Sequence, residues 1–329
     1  MKAMVVALMT TALCLPAGPG GAAEARLEGV VQNGTEGKGV PDDLEVVVVQ
    51  TSSTGSEVDW ATVDVSSTGR FALRTMDAGR AERAVVTALY KGVGYRTTVE
   101  LNAGSRPIEL TIFEPTRDAS VISLRSDTTV ATLEDEDELA VLQLLRVNND
   151  SDRTYIGEMS GGRPSVLRLP LPRGAFDLRA IEGLTHEAII DVDGGVASGD
   201  PLQPGETRMS FSYGVQREHS GWALGHAARY PTTRADVLVQ PDLFVRAPGR
   251  HLGSLDFDGR RYRQFEFGPL LSGQEIALAV TAPQTSLAWV PWAVAALMVA
   301  AALVVARRRR RSGPQEAAPG EHELRSLKS

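Results

Sequence analysis

The residues of this chain that could do chemistry are few, and their spacing names no reaction. Four histidines precede the last 50 residues: His186, His219, His226 and His251. The seven-residue gap from His219 to His226 would put two metal ligands on one face of a helix. The surrounding HSGWALGHAARYP, however, is glycine-rich and strand-like, which makes these surface or turn histidines. No H-E-x-x-H is present, so a zinc site would need ligands gathered from distant loops. Glu134-Asp135-Glu136-Asp137-Glu138 could bind calcium through clustered carboxylates. A calcium loop needs alternating ligands and a glycine; this run lacks both and reads as a solvated hairpin tip. Asp191-Val192-Asp193-Gly194 is a fragment of the same pattern that a β-turn explains. There is no G-x-S-x-G elbow, S-x-x-K, P-loop or G-x-G-x-x-G. A serine hydrolase would need Ser, His and Asp brought together by the fold alone. Asn33-Gly34-Thr35 and Asn149-Asp150-Ser151 match the glycosylation pattern and are read as turns. The sequence therefore assigns no catalytic residue, no cofactor-binding residue and no metal ligand.

The elements that would position any site are set first by the chain's ends. The stretch 287–306 is 20 apolar residues without a charge, followed by Arg307 to Arg311. At ~1.5 Å per residue such a helix covers ~30 Å, the hydrocarbon thickness of a bilayer. Five arginines would lose their hydration on following it, so they stop transfer and hold the tail 307–329 in the cytoplasm. Trp289 and Trp292 suit the outer interface, and Pro291 falls in the first turn, where its missing N–H costs little. At the other end, Lys2, an apolar run from Met4 to Leu15 and small residues to Ala23 read as a signal peptide, 1–23, cleaved after Ala23 or Ala25. Leu13 is too large for the position before a lipidated Cys14. Cys14 is the only cysteine, so the mature chain would hold no disulfide and no thiol nucleophile.

Charge narrows the partners. The chain has 34 basic and 41 acidic residues; setting aside Lys2 and a tail with seven basic and three acidic residues leaves 26 basic against 38 acidic. A segment near −12 argues against nucleic acid or anionic lipid as its ligand.

Between the ends the pattern is all β. Region 26–113 predicts a small sandwich of seven short strands, six of them with spans, at Leu27 to Gln32, Leu44 to Gln50, Arg70 to Leu73, Val85 to Tyr90, Tyr95 to Leu101 and Ile108 to Phe113. Asn33-Gly34 is a favourable hairpin dipeptide, and the Val46 to Val49 run suits a strand covered on both faces. Glu114 to Arg117 reads as a linker. Region 116–282 predicts a second, larger sandwich. Its candidate strands include Val121 to Leu124, Thr128 to Leu133, Leu139 to Val147, Arg163 to Leu169, Thr207 to Val215 and Arg261 to Phe267, with tight turns at Asp193-Gly194 and Asp258-Gly259.

LEGVVQNGTEGKGVPDDLEVVVV, VDVSSTGRFALRTMDAG and VVTALYKGVGY resemble the carboxypeptidase-regulatory-like, or transthyretin-like, domain. Gly39, Val40, Pro41, Val46, Gly69, Arg70, Phe71, Gly94 and Tyr95 occupy that family's pattern. The resemblance implies a structural accessory sandwich and brings no catalytic residue. VNNDSDRTYIG, LPLPRGAFDL, DGGV and PGETRMSFSYGV are similar to uncharacterised exported bacterial sandwich proteins with one C-terminal membrane helix.

The expectation is an all-β ectodomain of two tandem β-sandwiches plus one C-terminal transmembrane α-helix, a single-pass protein of the cell membrane with its β-domains outside. The expected function is a non-enzymatic binding or assembly module for an envelope protein or glycan, without cofactor, that displays His219, Trp222 and His226 on a loop. The alternatives are an accessory subunit of a membrane respiratory or cytochrome-maturation system, and a hydrolase with a dispersed active site. Topology is directly testable. A reporter that works only in the cytoplasm should be active when fused after Ser329; activity there of a reporter that works only outside would overturn the assignment.

Overall fold

The computed structural model describes residues 26–74, 81–101, 107–218, 221–246, 249–276, 278–282 and Met298. The described residues up to Thr281 belong to one compact unit. They are all β, and none of their helices is long and apolar enough to cross a membrane. The signal expected at 1–23 lies outside the described residues, as does the helix expected at 287–306 apart from Met298.

Seven strands form the N-terminal part: β1 Arg26–Asn33, β2 Glu45–Thr51, β3 Glu57–Val63, β4 Arg70–Arg74, β5 Arg83–Tyr90, β6 Val93–Glu100 and β7 Ile108–Ile112. They make a three-stranded sheet, β4-β1-β7, and a four-stranded sheet, β3-β2-β5-β6. Leu27, Val31, Phe71 and Ile112 from the first share a core with Val46, Val48, Val86 and Tyr95 from the second. In β2 the alternation is plain: Val46, Val48 and Gln50 are buried, while Val47 and Val49 are half-buried. Coverage on both faces is thus only partial. Asn33-Gly34 does not close a hairpin, because the next strand belongs to the other sheet. Asn33 Oδ1 accepts the Thr35 N–H and its Nδ2 donates to the Gly39 carbonyl, turning the chain across the sandwich. Gly69 has φ +78°, and a Cβ there would stand 2.0 Å from the Val31 carbonyl oxygen, so only glycine fits.

The expected linker is fastened at both edges. Pro115–Thr116 pairs in parallel with Thr154–Tyr155, and the Tyr95 hydroxyl donates to the Phe113 carbonyl (2.8 Å) while sharing a 2.9 Å bond with the Thr154 hydroxyl. Glu114 accepts from the Tyr90 hydroxyl (2.7 Å) and from Lys91 Nζ (2.8 Å).

The larger part is built on a seven-stranded sheet. Its order is Ala175–Glu182, Gly205–Gln216, Glu138–Asn149, Ile122–Leu133, Ala235–Val239, Arg260–Phe267 and Arg250–Phe257. Ala235–Val239 runs parallel to Ile122–Leu133, and the other neighbours are antiparallel. The two strands expected at 121–124 and 128–133 are one twelve-residue strand, while the single strand expected at 163–169 is two, Arg163–Ser165 and Leu167–Pro170. Asp258-Gly259 is a two-residue hairpin turn, with φ +48° and +72° and Phe257 opposite Arg260. One sheet face presents Val141, Gln143, Leu145, Phe211 and Tyr213 to the interior. Facing them is a small sheet of Leu167–Pro170, Gly195–Ser198 and Ile189–Val192.

Two stability outcomes follow from this packing. Phe211 is 2 % exposed and stacks on Tyr213 at 6.0 Å, so Phe211→Ala should cost about 3–5 kcal/mol in chemical denaturation. A loss below ~1 kcal/mol would place it outside the core. Glu114 is held below the usual carboxylate range, chiefly by the Lys91 hydrogen bond. Because its folded pKa is depressed, its stabilisation is present above the unfolded glutamate value of ~4.3 and is lost as pH falls through the lower folded value. Glu114→Gln should flatten the fall of melting temperature over that acid range; an unchanged slope would deny Glu114 this role.

Candidate functional site

Clefts on the two faces of the large sheet differ in how their charges are partnered. On the outer sheet face, Arg125, Arg146, Arg208 and Arg234 line a cleft of about 470 Å³. Arg146 and Arg208 share Glu206 at 3.8 and 3.9 Å, Arg125 meets Asp150 at 3.3 Å, and Arg234 meets Asp236 and Glu266. Every guanidinium there already has a carboxylate.

The inner face is different. Three adjoining cavities meet between the Leu167–Pro170 strand and the segment 227–230, and Arg168 and Arg229 line all three. Two are open clefts of about 390 and 240 Å³; the third is a chamber of about 30 Å³ behind them. Among the described residues neither guanidinium has a carboxylate partner: Arg168 Nε reaches only Ser165 Oγ, at 3.4 Å, and Arg229 is exposed. Tyr230 joins the two walls, since its buried hydroxyl accepts the Arg168 backbone N–H at 2.9 Å. Its own proton has no acceptor among the described residues. Burial raises the Tyr230 pKa, against the hydrogen bond from Arg168 and the positive charge of both arginines, so the phenol is a neutral donor. Burial likewise raises Tyr155, which lines the larger cleft with Glu158 and Ser165.

Backbone pairing fixes these groups. Arg168 lies opposite Ala197 in the small sheet, with Leu167 and Leu169 buried on either side of it. The turn at 271–274 clamps the other wall. Ala228 N donates to the Gln274 carbonyl (2.9 Å), Gly273 N to the Ala228 carbonyl (2.7 Å) and Ser272 Oγ to the Arg229 carbonyl (2.8 Å). Gly157, with φ +62°, packs so that a Cβ would meet the Ser165 carbonyl oxygen at 2.2 Å. Beneath the chamber, Thr129 donates to Gln143 Oε1, and Gln143 Nε2 donates to Asp127. What this arrangement can do is hold an oxyanion, with two guanidiniums and a phenol as donors.

The residues singled out by sequence lie elsewhere or are not brought together. His186 is exposed in a 3-10 turn, and His251 is exposed on the edge strand with its ring 5.1 Å from Phe265. His219 lies outside the described residues; His226 pairs its backbone with Ile276. No group of three or more His, Cys, Asp or Glu among the described residues could hold a metal ion. Glu134 to Glu138 is the tip of a hairpin, with Asp135 Oδ1 accepting from the Asp137 and Glu138 backbone. Asp193-Gly194 turns between Ile189–Val192 and Gly195–Ser198 as expected. Trp222 is not displayed on a loop: it is 1 % exposed, with Arg217 over its ring and Nε1 donating to the Asp137 carbonyl.

No family model and no curated protein matches this chain. Among solved structures, it is similar to an M1 zinc metallopeptidase from Deinococcus radiodurans, with 14 % identity over 49 % of this chain and 42 % of that one and a TM-score of 0.31. A putative protease from Parabacteroides distasonis matches at 11 % identity over 50 % and 41 %, also with a TM-score of 0.31. The chain thus spans about two fifths of the structures it matches. Because these are peptidases, the expectation of a non-enzymatic binding or assembly module is withdrawn. Likeness at this level transfers no reaction, substrate or catalytic residue.

Sequence reading missed Arg168, Arg229 and Tyr230. The available signal was an arginine inside the apolar run SVLRLPLP and an Arg-Tyr pair just before Pro231.

Proposed function

We propose that the chain recognises a small ligand ending in a carboxylate, such as an acid-ended peptide, at the cleft of Arg168, Arg229 and Tyr230. The observation that carries this reading is the pair of guanidiniums without carboxylate partners among the described residues, lining the same cleft as a buried phenol donor. Glu158 lines the same cleft and offsets one positive charge, which favours a singly charged carboxylate over a doubly charged phosphate monoester. It also gives the ligand's amide N–H groups an acceptor. The ligand is therefore a small acid at a defined cleft, not a protein or glycan captured at loop ends.

Placement in the cell belongs to the same proposal. Two tandem sandwiches outside, a cleaved signal at 1–23, an anchor at 287–306 and a cytoplasmic tail at 307–329 are supported by the two apolar runs and the Arg307 to Arg311 block. The resemblance of 26–113 to the carboxypeptidase-regulatory-like domain is supported by seven strands in two sheets with Phe71 and Tyr95 in their core.

The test compares a tripeptide as free acid and as C-terminal amide by calorimetry on the full chain in detergent, with cleavage products followed in the same samples. The free acid should bind, and the amide should bind at least tenfold more weakly. Loss of charge-assisted hydrogen bonds worth about 1.5–3 kcal/mol predicts a 10- to 100-fold loss for Arg229→Gln, with melting unchanged because Arg229 is exposed. Equal binding of acid and amide would sink the reading.

A further inference from the structure

The chamber behind the two arginines sets the size of what can follow the carboxylate. Resting on the carboxylate reading, we infer that the site selects peptides whose C-terminal residue has a small apolar side chain, of alanine size, seated in that chamber. It measures about 30 Å³, and Arg168, Ala228, Arg229 and Tyr230 line both it and the larger cleft. A ligand held by the arginines therefore has the chamber beside its last side chain. A cavity needs about 10–15 Å³ on this measure to hold one water, so the space takes one or two water-sized groups. Leu167, Leu169 and Phe211 line its wall and are each no more than 5 % exposed, with Asp127 and Gln143 lining it as well.

These walls cannot give way cheaply. Leu167 and Leu169 are pinned by antiparallel pairing to Ser198 and Val196, and Phe211 by pairing to Gln143 and by its stack on Tyr213. Interiors packed to this density resist an added methylene, and a leucine or phenylalanine side chain would force several buried groups to move. Alanine puts a methyl group into space already there. Glycine leaves the chamber to water and forgoes the burial of one methyl, worth about a fourfold change in affinity.

The experiment is a calorimetric series on the full chain in detergent with Gly-Gly-X, where X is Gly, Ala, Leu or Phe, each as free acid and as amide. Ala-ended acid should bind about fourfold tighter than Gly-ended acid and at least tenfold tighter than Leu- or Phe-ended acid. If acids and amides bind alike, the carboxylate reading itself fails. If acids bind and amides do not, while Leu- and Phe-ended acids match the Ala-ended one, only the chamber inference fails. Leu169→Ala supplies a second check: it should move the optimum from Ala-ended to Leu-ended acid. An optimum unmoved in a variant that still melts cooperatively would overturn the inference as well.

Discussion

The structure depends on one strand being paired on both sides for nearly its whole length. Glu138–Asn149 meets Gly205–Gln216 at all twelve positions, and on its other side meets Ile122–Leu133 with a single irregularity between Arg146 and Val147. A strand locked this way has no register freedom. A slip of one residue would send Val141, Gln143 and Leu145 outward and bring Leu142, Leu144 and Arg146 in, burying a guanidinium in the core. The same register aligns Asp127, Gln143 and Phe211 on the inner face, where they line the chamber. Fold and candidate site therefore rest on the same set of hydrogen bonds.

Much of the fold was legible because its signals are local. Asp258-Gly259 and Asp193-Gly194 close hairpins since their residues tolerate the backbone a two-residue turn requires. The alternation of Met209, Phe211, Tyr213 and Val215 marks a buried face, although Ser210 and Gly214 on the opposite face are buried too. What failed was whatever a distant partner decides. Asn33-Gly34 has hairpin chemistry, but Gly34 N donates to the Ile112 carbonyl and the chain leaves for the other sheet. In Ile122–Leu133 the polar Arg125 to Thr128 broke the apolar pattern. Pairing with Glu138–Asn149 from Ser126 on, and with Ala235–Val239 from Asp127 on, more than a hundred residues later in the chain, carries the strand through it. Glu57–Val63 received no span because its alternation is weak and Trp60 points to solvent, 60 % exposed.

The candidate site was illegible for a related reason. Arg168 and Tyr230 are separated by 62 positions, and neither belongs to a motif. Each is unremarkable alone. What makes them a site is that the small sheet stacks against the large one and leaves two guanidiniums facing a cleft with no carboxylate in contact with either among the described residues. Sequence can count arginines; it cannot say which find carboxylates. On the outer face all four did.

That contrast bears on how an acid could reach the cleft. Residues 24–286 carry 12 more acidic than basic residues, so at long range they repel an anion. At physiological ionic strength this repulsion is screened within ~8 Å, whereas the attraction of Arg168 and Arg229 acts at contact and is strengthened by the buried surroundings of Tyr230. An anion therefore gains nothing by steering and everything by fit. A polyanion would carry its remaining charges over the acidic surface, while a single terminal carboxylate presents one charge to two guanidiniums and leaves the rest of the ligand neutral.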